Sequence, residues 1–329
     1  MNKTDTCMDW NNPYPSARSA VLGQNMVSTS HPLAAQAGLR MLQAGGNAVD
    51  AALAAAIALT VLEPTGCGIG SDAFAIVWDG KELHGLNASG RSPRGWSPDR
   101  FKGHDAVPDK GWESVSVPGA VSAWAELSSK LGRLSLEQVA APAIHYAREG
   151  FPVSPVIARL WELGRQRLGD QPGFAEAFLR DGKAPVAGQW YQNPDQANTL
   201  ERIAATQGQD FYTGELAKRI ADFSRQHGGA MDEQDLAEHR ANWCGTISHP
   251  FAQSVIHEIP PNGQGLAALM ALGIMEQAGV GQQPLDHIDT VHLSIEAMKL
   301  AFADVNAFVC DPAAMRVDPK SMLDSDYLA

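Results

Sequence analysis

Along the chain, blocks with helical periodicity alternate with short apolar runs, and the two kinds of block predict different elements. Residues 32–43 (PLAAQAGLRMLQ) carry apolar side chains at helical spacing. Pro32 suits a first turn, where the N–H it lacks would be unpaired anyway, and Gly45-Gly46 stops the helix. Asn47 is placed to cap the next helix, and Asp50 adds negative charge to its first turn. From Ala48 to Val61 nearly every side chain is small or aliphatic. Such a helix is packed on most sides rather than amphipathic, and Pro64 ends it. At about fifteen residues, with Asp50 inside it, the stretch falls short of the roughly 20 apolar residues of a membrane span. The glycine-rich turn Thr65–Ser71 (TGCGIGS) leads into an apolar strand, Ala73–Trp78. Asp79-Gly80 is a hairpin signal, and Glu82–Asn87 is the expected return strand.

Helical spacing recurs over Val117–Gly132, Ser135–Gly150, Ser154–Leu168, Pro194–Gln207, Gly214–His227, Gln264–Ala278 and Ile288–Val305. Ser135 followed by Gln138 reads as a capping box. Ser254–Ile259 reads as a strand, Pro260-Pro261-Asn262-Gly263 as a tight loop, and the chain from Asp311 onward as polar loop. The pattern is α+β, with many helices and few strands, and the sheet is undersized for its helices.

Composition narrows the function classes. With 329 residues, 44% of them hydrophobic and 19% charged, the chain is neither disordered, collagen-like nor a coiled coil. Length alone suggests roughly two domains. The net charge of −12, from 25 basic and 37 acidic residues, repels polyanions, so nucleic acid and acidic membranes are excluded as partners. Any anionic ligand then needs a local positive group. Cys7, Cys67, Cys244 and Cys310 lie far apart with no C-x-x-C pair, which fits neither a zinc site nor a disulfide framework. Scattered thiols and an opening sixteen residues without a leader pattern lead to the expectation of a cytoplasmic protein.

Few motifs carry chemistry. Gly66-x-Gly68-x-Gly70 follows a helix and precedes a strand, the reverse of the order a dinucleotide loop needs. His287 and His292 are five apart and fall on different helix faces. No phosphate-loop lysine motif, H-E-x-x-H or G-x-S-x-G occurs, and no metal or organic cofactor is implied. The segment Asn87–Pro93 (NASGRSP) is more informative. Gly90 permits an unusual backbone conformation that can aim Arg91 into a cleft, and arginine suits bidentate binding of a carboxylate. On physics alone, an exposed arginine at a hairpin end is the plainer reading. For Asn87, Ser89 and Ser92 the plainer reading is turn chemistry.

Met26–Phe74 (MVSTSHPLAAQAGLRMLQAGGNAVDAALAAAIALTVLEPTGCGIGSDAF) resembles the opening signature of the γ-glutamyltransferase family of N-terminal-nucleophile (Ntn) hydrolases. Ser114–Leu127 (SVSVPGAVSAWAEL), Ala141–Pro155, Asp210–Ile220 (DFYTGELAKRI) and His292–Pro312 (HLSIEAMKLAFADVNAFVCDP) resemble further blocks of it, in order, over nearly the whole chain. The resemblance implies a four-layer αββα sandwich. It also implies a precursor that cuts itself into a large and a small chain. The small chain's new N-terminal Thr is the nucleophile and its own amine the base, with backbone N–H groups stabilising the oxyanion.

On this resemblance the chain corresponds to the large subunit. Residues 1–25 form an N-terminal segment, and 26–329 form most of a single Ntn-hydrolase domain that the small subunit of the same precursor completes. The partners are that small subunit, in an αβ heterodimer that can itself pair, and a small anionic amide substrate. The catalytic Thr is expected outside this chain; Thr290 sits in a helix block and reads as structural. Two departures point to a branch. Where γ-glutamyl-specific members place the carboxylate-binding arginine in R-E-T-A-P, this chain reads S-G-R-S-P, with Arg91 two places nearer the proline. The glycine run after G-I-G is replaced by Ser71-Asp72. The G-R-(S/A)-P branch includes oxamate amidohydrolase, so an oxamate-like amide releasing ammonia is the first expectation. A γ-glutamyl hydrolase or transferase, a cephalosporin-side-chain acylase and a non-catalytic scaffold subunit are the alternatives. Arg91 is the expected substrate-binding residue, with Ser89, Ser92 and Asn87 as loop neighbours.

Overall fold

The computed structural model describes residues 21–329; Cys7 and the opening sixteen residues read as leaderless lie outside them, as does most of the 1–25 segment. Helix α1 (Pro32–Gln43) starts on His31, whose Nδ1 accepts from the Leu33 N–H at 3.1 Å. Helix α2 (Ala48–Leu62) opens in a reciprocal cap. Asn47 Oδ1 accepts from the N–H groups of Val49 and Asp50, and Asp50 Oδ2 accepts from the Asn47 N–H at 2.8 Å. Its buried positions cover most of the helix, as its small side chains predict, and leave Ala48, Ala52 and Ala56 exposed along one edge.

Strands β1 (Ala73–Trp78) and β2 (Leu83–Ala88) pair antiparallel, Ala73 opposite Ala88 and Trp78 opposite Leu83. The turn between them is tied by Asp79 Oδ1, which accepts from the Lys81 and Glu82 N–H groups. This places the return strand one residue later than the sequence suggested. Helix α3 (Ala120–Leu131) also starts later than its apolar spacing suggested. Val117–Gly119 runs outside the helix because its groups are taken by long-range bonds. The Val117 N–H donates to the Arg91 carbonyl at 2.8 Å, and the Pro118 carbonyl accepts from the Tyr212 hydroxyl at 2.9 Å.

Helix α4 (Leu136–Glu149) begins in the expected Ser135/Gln138 capping box. Strand β3 (Phe151–Pro152), helices α5 (Pro155–Leu168) and α6 (Phe174–Phe178), and strand β4 (Trp190–Tyr191) follow. Next come α7 (Pro194–Ala205), α8 (Gln209–Thr213), α9 (Glu215–Gln226) and the short α10 (Glu233–Glu238). Strand β5 (Asn242–Trp243) joins β2, giving the order β1-β2-β5. Strands β6 (Ile247–Phe251) and β7 (Ser254–Glu258) form a separate hairpin. Helices α11 (Gly265–Gln277), α12 (Ile288–Phe308) and α13 (Ser325–Leu328) close the chain; α12 runs three residues past Val305.

The architecture is α+β with short strands. One apolar core gathers α1 to α5, α7 and β2; a second gathers β6, α11, α12 and α13. Two apolar faces stay open. On β1, Phe74, Ile76 and Trp78 alternate outward, and Trp78 is 60% exposed. On α12, Ile288, Val291, Ile295, Met298 and Phe302 form one exposed stripe at three- and four-residue spacing, while Thr290, Ala297, Ala301 and Val305 are buried on the other side. Cys67, Cys244 and Cys310 are free thiols. Among the described residues no helix is long and apolar enough to cross a membrane.

Candidate active site

The end of β2 turns sharply. Asn87 Oδ1 accepts from the Ser89 N–H at 2.9 Å, an Asx turn. Its amide donates to Asn262 Oδ1 at 2.8 Å, and Asn262 Nδ2 donates to Ser89 Oγ at 3.0 Å. The Pro260–Gly263 loop is thereby stapled to the end of β2. Gly90 follows with φ +68°, a conformation that favours glycine. The next residue, Arg91, is held by its carbonyl against Val117.

Asn87, Ser89, Arg91 and Ser92, the four residues singled out from the sequence, line one cleft of about 830 Å3. His239, Arg240 and Asn262 complete much of its wall. The Arg91 side chain is exposed, and among the described residues no carboxylate pairs with it. Arg94, three residues on in the same wall, is the opposite case. Its backbone N–H and Nε both reach Asp235 Oδ1, at 3.0 and 3.1 Å, and its fork also meets Asp232 and Glu238. Of these two, Arg91 is the one left with its charge open to an anion; a third guanidinium in the wall, that of Arg240, turns its Nη1 to the carbonyls of Ala237 and His239.

Behind Arg91 lies a buried polar chain. Tyr212 OH donates to the Pro118 carbonyl and accepts from the Ser122 N–H at 3.0 Å. Ser122 Oγ donates to the Gly119 carbonyl at 2.7 Å and lies 2.9 Å from His239 Nε2. The His239 ring stacks on Tyr212, centroids 5.3 Å apart. Burial, reinforced by Arg240 and Arg91, lowers the His239 pKa to about 4, so the ring is neutral near neutrality. Burial likewise pushes the Tyr212 phenol up to about 12. A hydroxyl beside an imidazole has the outline of a nucleophile–base pair. Burial argues against that role: His239 is buried, and the Ser122 hydroxyl is shared between the Gly119 carbonyl and His239 Nε2. The Ser122 hydroxyl also does not border the cleft.

By sequence, Asn262 falls only in a tight loop, and nothing marks His239. His239, Tyr212 and Ser122 are brought together over separations of 117 and 90 residues, which no local spacing signals. Thr290 is buried in α12, as its helix block suggested. Asp79, Glu82 and His84 bring possible metal-ligand atoms within 4.8 Å at the β1–β2 turn. Asp79, however, is already engaged by two backbone N–H groups and His84 Nε2.

The gamma-glutamyltranspeptidase family matches residues 34–329, and the chain belongs to it. The glutathione hydrolase-like YwrD proenzyme of Bacillus subtilis (strain 168) is 36% identical over 313 residues, covering 94% of this chain and 60% of that protein. The oxamate amidohydrolase proenzyme of Klebsiella pneumoniae subsp. pneumoniae is 33% identical over 318 residues, covering 94% and 60%. The crystal structure of cephalosporin acylase from Bacillus halodurans superposes with a TM-score of 0.91 at 46% identity, covering 98% of this chain and 62% of that one. The chain thus spans about 60% of the length of these curated relatives.

Proposed function

We propose that this chain is the large-subunit part of a self-processing Ntn amidohydrolase that cleaves the amide of a small carboxylate-bearing substrate, oxamate-like first. The observation that carries this reading is the Arg91 guanidinium, which among the described residues pairs with no carboxylate and lines a cleft with Asn87, Ser89, Asn262, Arg240, Asp311 and a neutral histidine. In a chain of net charge −12, that local cation gives an anion a reason to bind. A bidentate fork fixes the carboxylate's orientation as well as its position, which sets the distance from carboxylate to scissile amide.

The remaining parts of the reading follow from family membership. The Thr nucleophile, its amine base and the oxyanion donors belong to a small chain cut from the same precursor. That chain completes a four-layer αββα sandwich and covers the open apolar faces of β1 and α12. Proenzyme relatives that this chain matches over only part of their length support this arrangement.

A second reading has its own support. The cephalosporin acylase structure is 46% identical, which favours a longer anionic acyl side chain on the same arginine. A paired assay on the processed enzyme decides: ammonia release from oxamate against release of a glutaryl or γ-glutamyl group from its p-nitroanilide. Arg91→Ala is expected to lower kcat/KM for whichever amide is turned over by at least about tenfold, in line with the loss of a charge-assisted hydrogen-bond pair. Unchanged kcat and KM for every acidic amide would remove Arg91 as the clamp.

A further inference from the structure

The staple at the end of β2 holds more hydrogen than it uses. The backbone orients its amides. The Ser89 N–H can only donate, so Asn87 turns Oδ1 to it at 2.9 Å and its nitrogen to Asn262. Asn262 must then meet Asn87 with its oxygen, at 2.8 Å, which leaves its own nitrogen on Ser89 Oγ at 3.0 Å. Each amide nitrogen carries two hydrogens, and each has one partner among the described residues. One N–H of Asn87 and one of Asn262 are therefore unspent. Asn262 is an exposed residue, its bonds to Asn87 and Ser89 are exposed as well, and the surface it presents borders the cleft that Arg91 borders. Both amide oxygens already accept, so what this stretch of wall offers a ligand is hydrogen-bond donors. Asp311, the carboxylate in the wall, accepts from the Ala313 N–H at 2.9 Å and pairs with neither amide among the described residues.

We infer that Asn262 is a specificity-determining residue, whose unspent N–H donates to the carboxylate that Arg91 holds. The inference rests on the Arg91 reading and deepens it: the anionic end of the substrate is gripped by a cationic fork and a neutral amide together. Asn262 is bonded to Ser89, two residues before Arg91, so the two donors belong to one turn. A carboxylate accepts on both oxygens and meets the fork and a further N–H at once. A carboxamide in the same place keeps one oxygen and turns an NH2 group toward a wall of donors, which leaves hydrogens unpaired. The substrate class is therefore acyl groups that end in a carboxylate rather than its amide, and an uncharged residue from the loop between β7 and α11 carries part of that preference.

Oxamate and oxamide test this on the processed enzyme, with glutaramate and glutaramide for the longer acyl group. Within each pair only the end that Arg91 holds differs, and ammonia release reads kcat/KM for every member. Wild type is expected to prefer the carboxylate member of the pair it hydrolyses. Asn262→Ala should lower that preference about tenfold, the range of one hydrogen bond to a charged acceptor. Asn262→Leu, closer in volume, takes its place if the alanine variant does not fold. Asn262→Asp still accepts from Asn87 and from the Ser89 hydroxyl, so it keeps the staple while replacing the donor with a negative charge, and should lower the preference further. A preference that survives Asn262→Asp overturns the inference, because a loss confined to the apolar variant comes from a loosened turn. A loss confined to Asn262→Asp overturns it too, because that is charge acting across the cleft. In both cases Arg91 stands. A preference that Arg91→Ala leaves intact, or no ammonia from either pair with wild type, overturns the Arg91 reading itself.

Discussion

Gly90 and Val117 pass so close that a β-carbon on Gly90 would lie 1.7 Å from the Val117 carbonyl oxygen. The same two segments are joined again one residue later, where the Val117 N–H donates to the Arg91 carbonyl. Gly119 meets the other side of the turn just as closely, its absent β-carbon 1.9 Å from the Ala88 carbonyl oxygen. The loop that presents Arg91 is therefore positioned by two glycines and a hydrogen bond rather than by side-chain packing.

Gly90→Ala is the direct probe of that arrangement. The substitution meets both a left-handed φ of +68° and a backbone atom that cannot rotate away. We expect a destabilisation of about 1–3 kcal/mol and a fall in kcat/KM of at least about tenfold, because the residue that must shift is the neighbour of Arg91. Thermal unfolding and steady-state kinetics on the processed enzyme check both. A variant with wild-type melting temperature and activity would mean that the loop is not pinned where the structure has it.

Asp50 provides a test of the fold away from the cleft. Its fully buried carboxylate meets no cation among the described residues and instead accepts from the backbone N–H groups of Asn47, Arg133 and Leu134. It joins the start of α2 to the α3–α4 connection. Asp50→Ala strands three donors, and at roughly 1–3 kcal/mol per buried unpaired group the expected loss is about 3 kcal/mol or more. Asp50→Asn retains one acceptor oxygen and should lose less. Urea unfolding measures the order; equal losses would show that the three bonds do not act as described.

Arg91 and Arg94 should respond in opposite ways. Arg94 is bound by the buried Asp235 and by Asp232 and Glu238, so Arg94→Ala leaves an uncompensated buried carboxylate and lowers the melting temperature. Arg91 has no such partner, so Arg91→Ala should leave the melting temperature near wild type while lowering activity. Differential scanning fluorimetry beside the amide assay separates the two. A large drop in melting temperature for Arg91→Ala would make it a structural residue.

The parts of the molecule visible in the sequence are those fixed by neighbours along the chain. The caps at Asn47/Asp50 and Ser135/Gln138, the two early helices and the Asp79 hairpin depend on residues within a few positions of each other. The start of α3 was misplaced because Val117–Gly119 follows helical spacing yet is held outside the helix by Arg91 and Tyr212. Strands β3, β4 and β5 and helix α10 are too short to show a period in the sequence, while β6, as long as β7, contains Pro250 and His249, which do not read as a strand. At the candidate site, Gly90-Arg91 was legible from a glycine at a strand end. The Tyr212–Ser122–His239 chain was not, because only the packing of α3, α8 and the end of α10 brings it together.

The apolar faces of β1 and α12 make the proposed second chain testable. Ile76 and Ile295 are 40% and 53% exposed, so Ile76→Glu and Ile295→Glu should leave the secondary structure of this chain intact. If a small chain covers both faces, each substitution places a charge in an apolar interface. The expected result is reduced recovery of the two chains as one species in size-exclusion chromatography after co-expression. Undiminished association with both substitutions present would put the interface elsewhere.

The low pKa of His239 carries a consequence for stability that substrate binding does not enter. An unfolded chain titrates this histidine near 6.5, and the folded one holds it to about 4, through burial first and then through Arg240 and Arg91. Between those values the unfolded state binds more protons, so stability falls as pH drops through the window and is unaffected above it. Tyr212, stacked on the ring, does not offset this, since it stays protonated with its pKa raised to about 12. His31, also lowered by burial, adds a slope of the same sign, as do native ion pairs, so the wild-type profile alone cannot be assigned to one residue. The difference between wild type and His239→Gln isolates it, since glutamine takes up no proton. Urea unfolding at about pH 7 and about pH 5 should show wild type losing more stability than the variant over that interval. Parallel losses would mean that His239 is protonated as easily in the folded protein as in the unfolded chain, and is not buried as a neutral ring.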